Sequence, residues 1–241
     1  LSRRLTLGTG TVFGLSCMIA LLVTLICLVF TNDVYALFHE GGPVEGMSAV
    51  FWFIAALWLT VHFVRSGQWR IWHTAFLLWA AGMRELDWDK AFTQEGVLQL
   101  RLYSGDAPLV QKAIGAAIVL LILVAVMRLL ICDMPGFLRR LRLLRANEWL
   151  VVLVVSLLFV AKTIDGLGRK LAPFGIEVTE WASGFAGRAE ESMELFAAIL
   201  ILQVVALYAG REAPQETRRE ARASPGRQDG FHQLASPQRS G

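Results

Sequence analysis

Four short stretches set acids and bases at spacings that could support chemistry. "GMRELDWDK" (82–90) closes an apolar run with Arg84, Glu85, Asp87 and Asp89. "AKTIDGLGR" (161–169) places Lys162 and Asp165 three residues apart and Asp165 and Arg169 four apart, so all three share one helical face. "AEESMEL" (189–195) carries Glu190, Glu191 and Glu194, and Glu45 stands in "GGPVEGMSAVFW" (41–52). Carboxylates without nearby His or Cys suit a hard divalent cation such as Mg²⁺, Ca²⁺ or Mn²⁺. The candidate donors are Glu45, Glu85, Asp87, Asp165 and Glu194. The same groups could serve as general acids or bases or as proton carriers, with Glu85, Asp87, Asp165, Glu191 and Glu194 as the candidate catalytic set. Arg84, Lys162 and Arg169 would balance charge or hold an anionic headgroup.

The elements that must position these residues are membrane helices. The chain of 241 residues is 55% hydrophobic and 18% charged, with a mean hydropathy of +0.52, too apolar for a soluble domain and too long for one anchor. A crossing needs roughly 20 mostly apolar residues, and six segments approach this: 12–36, 46–65, 69–88, 109–131, 148–167 and 191–210. "VYA" (34–36) resembles a signal-peptide cleavage site, but the apolar run before it is longer than an ordinary leader core, so an uncleaved first helix is expected. The expected fold is all-α, a polytopic bundle of six transmembrane helices over residues 1–210, followed by a polar, disordered cytoplasmic tail, 211–241.

Orientation follows the basic residues. Arg3 and Arg4, "RSGQWR" (65–70), "MPGFLRRLRLLRANE" (134–148) and the tail with Arg211, Arg218, Arg219, Arg222 and Arg227 fall on one side of six alternating helices. The opposite loops are longer and more acidic. Both termini are then cytoplasmic, and the Arg- and Ala-rich composition points to a bacterial inner membrane with the acidic face toward the periplasm.

Depth is set by residue counting. "IWHTAFLLWAAGM" (71–83) supplies only thirteen residues, so the third span must take polar residues inside. Trp69 and Trp72 mark one interface and Trp88 the other, which brings Arg84, Glu85 and Asp87 to membrane level. Counting twenty residues from Trp149 brings Lys162 and Asp165 to the same end, and counting back from Gly210 brings Glu190, Glu191 and Glu194. That layer holds seven acids (Glu45, Glu85, Asp87, Asp165, Glu190, Glu191, Glu194) against three bases (Arg84, Lys162, Arg169). Either some carboxyls hold protons, or a cation joins them, or several reach water. Acids at helix starts are favoured by the helix dipole, which accounts for Glu45 and the three glutamates of 189–195, whereas Glu85, Asp87 and Asp165 lie at unfavourable helix ends.

Several function classes find no support. Cys17, Cys27 and Cys132 show no CxxC spacing, and the chain has no GxSxG, GxxxxGK[ST] or HExxH. His62 and His73 flank "RSGQWR" and are expected to face each other; His39 stands alone beside Glu40. Interfacial helices are expected at 134–148, through Phe137, Leu138, Leu141 and Leu144, and at 176–187, through Trp181 and Phe185, with a similar piece in 91–108. Membrane lipid is the expected partner and nucleic acid is not. Three functions remain: a pocket for a cation or lipid-type substrate, catalytic or not; a proton- or cation-coupled transporter; and a structural subunit.

Overall fold

The computed structural model describes residues 9–31, 33–38, 41–93, 95–143 and 146–223, and among these every regular element is helical. Contacts divide the chain into a main unit, Leu1–Ala206, and a second, Leu207–Gly241. The elements run α1 (Thr9–Thr31), α2 (Val34–Leu37), α3 (Pro43–Ser66), a 3₁₀ turn (Trp69–Ile71), α4 (Trp72–Glu85), α5 (Trp88–Phe92), α6 (Leu100–Ser104) and α7 (Leu109–Arg128). A π turn (Leu129–Asp133) joins α7 to α8 (Met134–Arg142), followed by α9 (Ala146–Ile164), α10 (Leu167–Leu171), a 3₁₀ turn (Ala172–Phe174) and α11 (Glu180–Ala223).

Five stretches are long and apolar enough to cross a bilayer: Thr9–Thr31, Pro43–Ser66, Leu109–Arg142, Asn147–Ile164 and Glu180–Ala209. The chain is accordingly an all-helical, multi-pass membrane protein. The sequence led us to expect six such helices, and the third of them, 69–88, is the exception. Its helix α4 has 14 residues, or ~21 Å at the α-helical rise, against a hydrocarbon core of ~30 Å. The helix stops at Glu85 because Asp87 takes a left-handed backbone, φ 47°, and a short separate helix begins at Trp88.

The α3–α4 hairpin is the best-packed part of the main unit. Gly67 closes α3 at φ 67°, with its N–H donating to the Phe63 carbonyl; a side chain there would be strained. Trp52, Ala55, Ala56, Leu59 and Phe63 of α3 pack with Ala75 and Leu78 of α4 and with Ala198 and Val205 of α11. Small residues let the backbones approach, as membrane helices require when lipid is as apolar as the interior. Gly82 shows the limit, because an added Cβ would sit 2.8 Å from the Phe53 ring. Cys27 of α1, Leu37, Val44, Leu195 and Ile199 form a second cluster. By contrast α7 leaves most of its leucines, isoleucines and valines exposed, as expected of a helix bathed in lipid.

Three connecting regions differ from expectation. The helix expected within 134–148 is α8, joined to α7 through the π turn; Pro135 supplies no N–H and opens the ladder one turn back, while Leu144 lies outside the described residues. The helix expected at 176–187 is the first part of α11, where Trp181 and Phe185 stack with ring centroids 5.8 Å apart. In 91–108 the helical piece is α6. Of the expected tail, 211–223 belong to α11, and 224–241 lie outside the described residues, as do Arg3, Arg4, His39 and Glu40.

Candidate functional site

Because α3 begins, α4 and α9 end, and α11 passes its first turns at one end of the main unit, their acids meet. Lys162, near the end of α9, is the hub. Its Nζ lies 2.6 Å from Glu194 Oε1 and 3.1 Å from Glu190 Oε1, both on α11. Glu85 at the end of α4 feels the charges of Glu194, Lys162, Glu45 and Arg84. Glu191 feels those of Glu194, Glu45, Glu190 and Glu85, and Glu190 that of Asp165. α3, α4, α11 and the turn after α9 thus contribute six carboxylates, with Lys162, Arg84 and Lys170 among the described cations nearby. The side chain of Glu194 is 5% exposed and that of Glu190 13%, while Lys162 is half exposed, so the arrangement is buried on the α11 side and open on the α9 side.

Local structure explains each position. Glu45 sits in the first turn of α3, where Pro43 starts the helix, and its Oε2 accepts from the Gly41 N–H at 2.6 Å. Lys170, reached by the turn after α9, donates from Nζ to the Lys162 carbonyl at 2.7 Å, satisfying an orphan group at the helix end. The i, i+4 spacing of Glu190 and Glu194 presents both to the same lysine.

Two sequence-selected residues lie apart from Lys162. Asp87 turns to its own neighbours: Arg84 Nη1 is 3.3 Å from Oδ1 and Lys90 Nζ 2.6 Å from Oδ2, on an exposed turn. Arg169 folds over Gly166, its guanidinium occupying the space that a Cβ would fill. Asp87 bonds to Arg84 and Lys90 because the left-handed turn carries it past the end of α4. Among the described residues no group of three or more His, Cys, Asp or Glu is disposed to hold a metal ion. The carboxylates surround a lysine and do not converge on a common point.

Two polar features escaped the sequence reading. His73, expected to face His62, is fully buried and pairs through Nε2 with Asp133 Oδ2 at 2.6 Å. Its partner stands 60 positions away in the π turn; an acid directly after an apolar run, two residues before a proline, was the available signal. Nearby in the chain, Arg140 Nε lies 2.9 Å from Glu148 Oε1, and Glu148 is almost fully buried. The second feature lies on α3, where the Ser48 Oγ and Trp52 Nε1 atoms are buried without a hydrogen-bond partner among the described residues.

The carboxylate cluster can attract a cation, move a proton or hold the cationic part of a lipid, and its chemistry does not select among these by itself. Comparison with known proteins adds no family to this geometry: no family model, curated protein or solved structure matches the chain.

Proposed function

We propose that the protein binds a cation or a lipid-type substrate bearing one, in a carboxylate-lined site at the less basic face of a bacterial inner membrane, the periplasmic face. The observation that carries this reading is the crowding of acids near Lys162: Glu190 and Glu194 pair with it, Glu85 lies within reach of its charge, and Glu45, Asp165 and Glu191 add charge to the same region, against Lys162, Arg84 and Lys170. Ionised groups at membrane level cost roughly 2.5–3.5 kcal/mol each at the bilayer centre and less near an interface. A protein that keeps so many with so few bases has a use for the excess negative charge. Glu85, Glu191 and Glu194 are the groups best placed to act on a bound ligand, and Lys162 holds Glu190 and Glu194 in place.

In this reading residues 1–210 form the membrane domain, both termini are cytoplasmic and α4 makes a short sixth crossing. With its 3₁₀ turn α4 reaches ~27 Å, and Trp69, Trp72 and Trp88 bracket it as interfacial anchors. A second reading, proton- or cation-coupled transport, is favoured by the buried His73–Asp133 pair at the basic end, a polar element on the far side that such a pathway needs.

The test is thermal unfolding of the purified protein in detergent at constant ionic strength, with Mg²⁺, Ca²⁺, Mn²⁺ or a primary amine added. At least one cation should raise the midpoint of the wild type and have a smaller effect on Glu191→Gln. If no cation distinguishes the two proteins, the binding reading is wrong.

A further inference from the structure

The basic end of the main unit presents an outer surface whose depth is set twice. α7 begins just after Asp106 and Pro108 and has 20 residues, a rise of ~30 Å, enough to fill the hydrocarbon core. α8 continues from it through the π turn, so α8 starts where the headgroups start. The second mark is a bond between helices. His73, in the first turn of α4, meets Asp133, at the head of α8, at 2.6 Å, which joins the α3–α4 turn and α8 at one level.

On α8, Met134, Phe137 and Leu141 are half-buried, while Arg139 and Arg142, three positions apart, share the exposed arc. Leu138 and Leu143 flank that arc and are 45% and 66% exposed. In the α3–α4 turn, Arg65 and Arg70 are exposed on either side of Trp69, itself 65% exposed. The acids that the described part of the main unit places at this end are already engaged, Asp133 with His73 and Glu148 with Arg140. Among the described residues, Arg65, Arg70, Arg139 and Arg142 have no ion-pair partner.

The pattern of exposure says what such a surface meets. Water would be a poor neighbour for leucines this open, and hydrocarbon a poor one for unpaired guanidinium groups. The boundary between headgroups and acyl chains suits both, with the apolar side chains turned to the chains and the charged heads to the phosphates. Guanidinium groups match phosphate oxygens in geometry as well as charge. We propose that this end of the protein binds anionic phospholipid: the headgroup phosphates pair with Arg139 and Arg142, the acyl chains lie against Leu138 and Leu143, and Arg65 and Arg70 extend the same patch. The lipid carries net negative charge, because a zwitterionic headgroup brings its own cation to four arginines that lack an anion. The proposal is independent of the ligand assigned to the acidic end.

The experiment is thermal unfolding of the full chain in detergent, with phosphatidylglycerol or phosphatidylcholine titrated in at constant ionic strength. Phosphatidylglycerol should stabilise the wild type at the lower mole fraction. An arginine beside an anionic surface is worth about fivefold in affinity, so the preference should fall about 25-fold when Arg139→Gln and Arg142→Gln are combined. Both side chains are exposed; if that variant nevertheless folds poorly, Arg65→Gln with Arg70→Gln replaces it. Arg101→Gln should change nothing, since Arg101 lies on α6, beside the other end of α7, and pairs with Glu95. Equal effects of the two lipids on the wild type overturn the proposal. So does a preference that the double variant keeps, or that Arg101→Gln loses to the same extent. Stabilisation by inorganic phosphate or polyglutamate that matches phosphatidylglycerol makes the occupant a soluble anion and overturns the lipid assignment.

Discussion

The two ends of the bundle handle buried charge in opposite ways. Among the described residues of the basic end the charged groups pair one to one, Asp133 with His73 at 2.6 Å and Glu148 with Arg140 at 2.9 Å, although His73 Nδ1 and Glu148 Oε2 are buried without a partner. At the acidic end one lysine serves two glutamates directly, and four more carboxylates crowd the same region. One-to-one pairing is what a purely structural role requires, because an uncompensated buried charge is expensive. In ion pairs the basic end comes close to that requirement, and the acidic end, with two glutamates on one lysine, does not. The contrast is what the proposed ligand-binding role of the acidic end rests on.

The sharpest way to break the comparison is to remove the shared base. Lys162→Met should cost about 3 kcal/mol, the low end for breaking a buried pair because the lysine itself is half exposed, as a fall in the unfolding midpoint. A loss no greater than that of an exposed lysine would mean that the acids do not depend on Lys162. Next in size, Asp133→Leu should cost about 1–3 kcal/mol, the penalty for leaving the buried His73 without its partner; equal stability of variant and wild type would remove the pairing argument at that end.

The glutamates then distinguish the ends by sign. Glu191→Gln removes one of several like charges and should leave stability unchanged or raise it by ~1 kcal/mol, whereas Glu148→Gln weakens the bond to Arg140 and should lower it by a similar amount. Parallel unfolding curves of the two variants check this, and shifts of the same sign would erase the difference between the ends. The smallest effect is expected at Asp87→Asn. Its ion pairs are exposed and worth under about 1 kcal/mol, and Asn tolerates the left-handed backbone; a large loss there would return Asp87 to the site.

The helices themselves were legible because apolar runs of about twenty residues admit few other structures in lipid. So was the end at which Glu45, Glu85, Glu190, Glu191 and Glu194 lie, since a rise of 1.5 Å per residue converts chain position into depth. The third of the six expected spans is where sequence and structure differ in length. Thirteen apolar residues between tryptophans look like a full span, but the chain leaves the helix at Leu86 and Asp87, and the enrichment of aspartate among left-handed residues is too weak a signal to place the break.

What only the tertiary structure decided is which groups face each other. Helix rotation about its own axis turns a common depth into contact or separation, and packing against neighbours sets it. Thus Lys162 turns to Glu190 and Glu194 across 28 and 32 positions, Asp87 stays with Arg84 and Lys90, and His73 finds Asp133 in a turn widened next to a proline. Sequence by itself determined a membrane-embedded helical chain with unlike ends. The crowding of acids around one lysine follows from how α3, α4, α9 and α11 pack together, because lipid fixes how deep a residue sits but not which way it points.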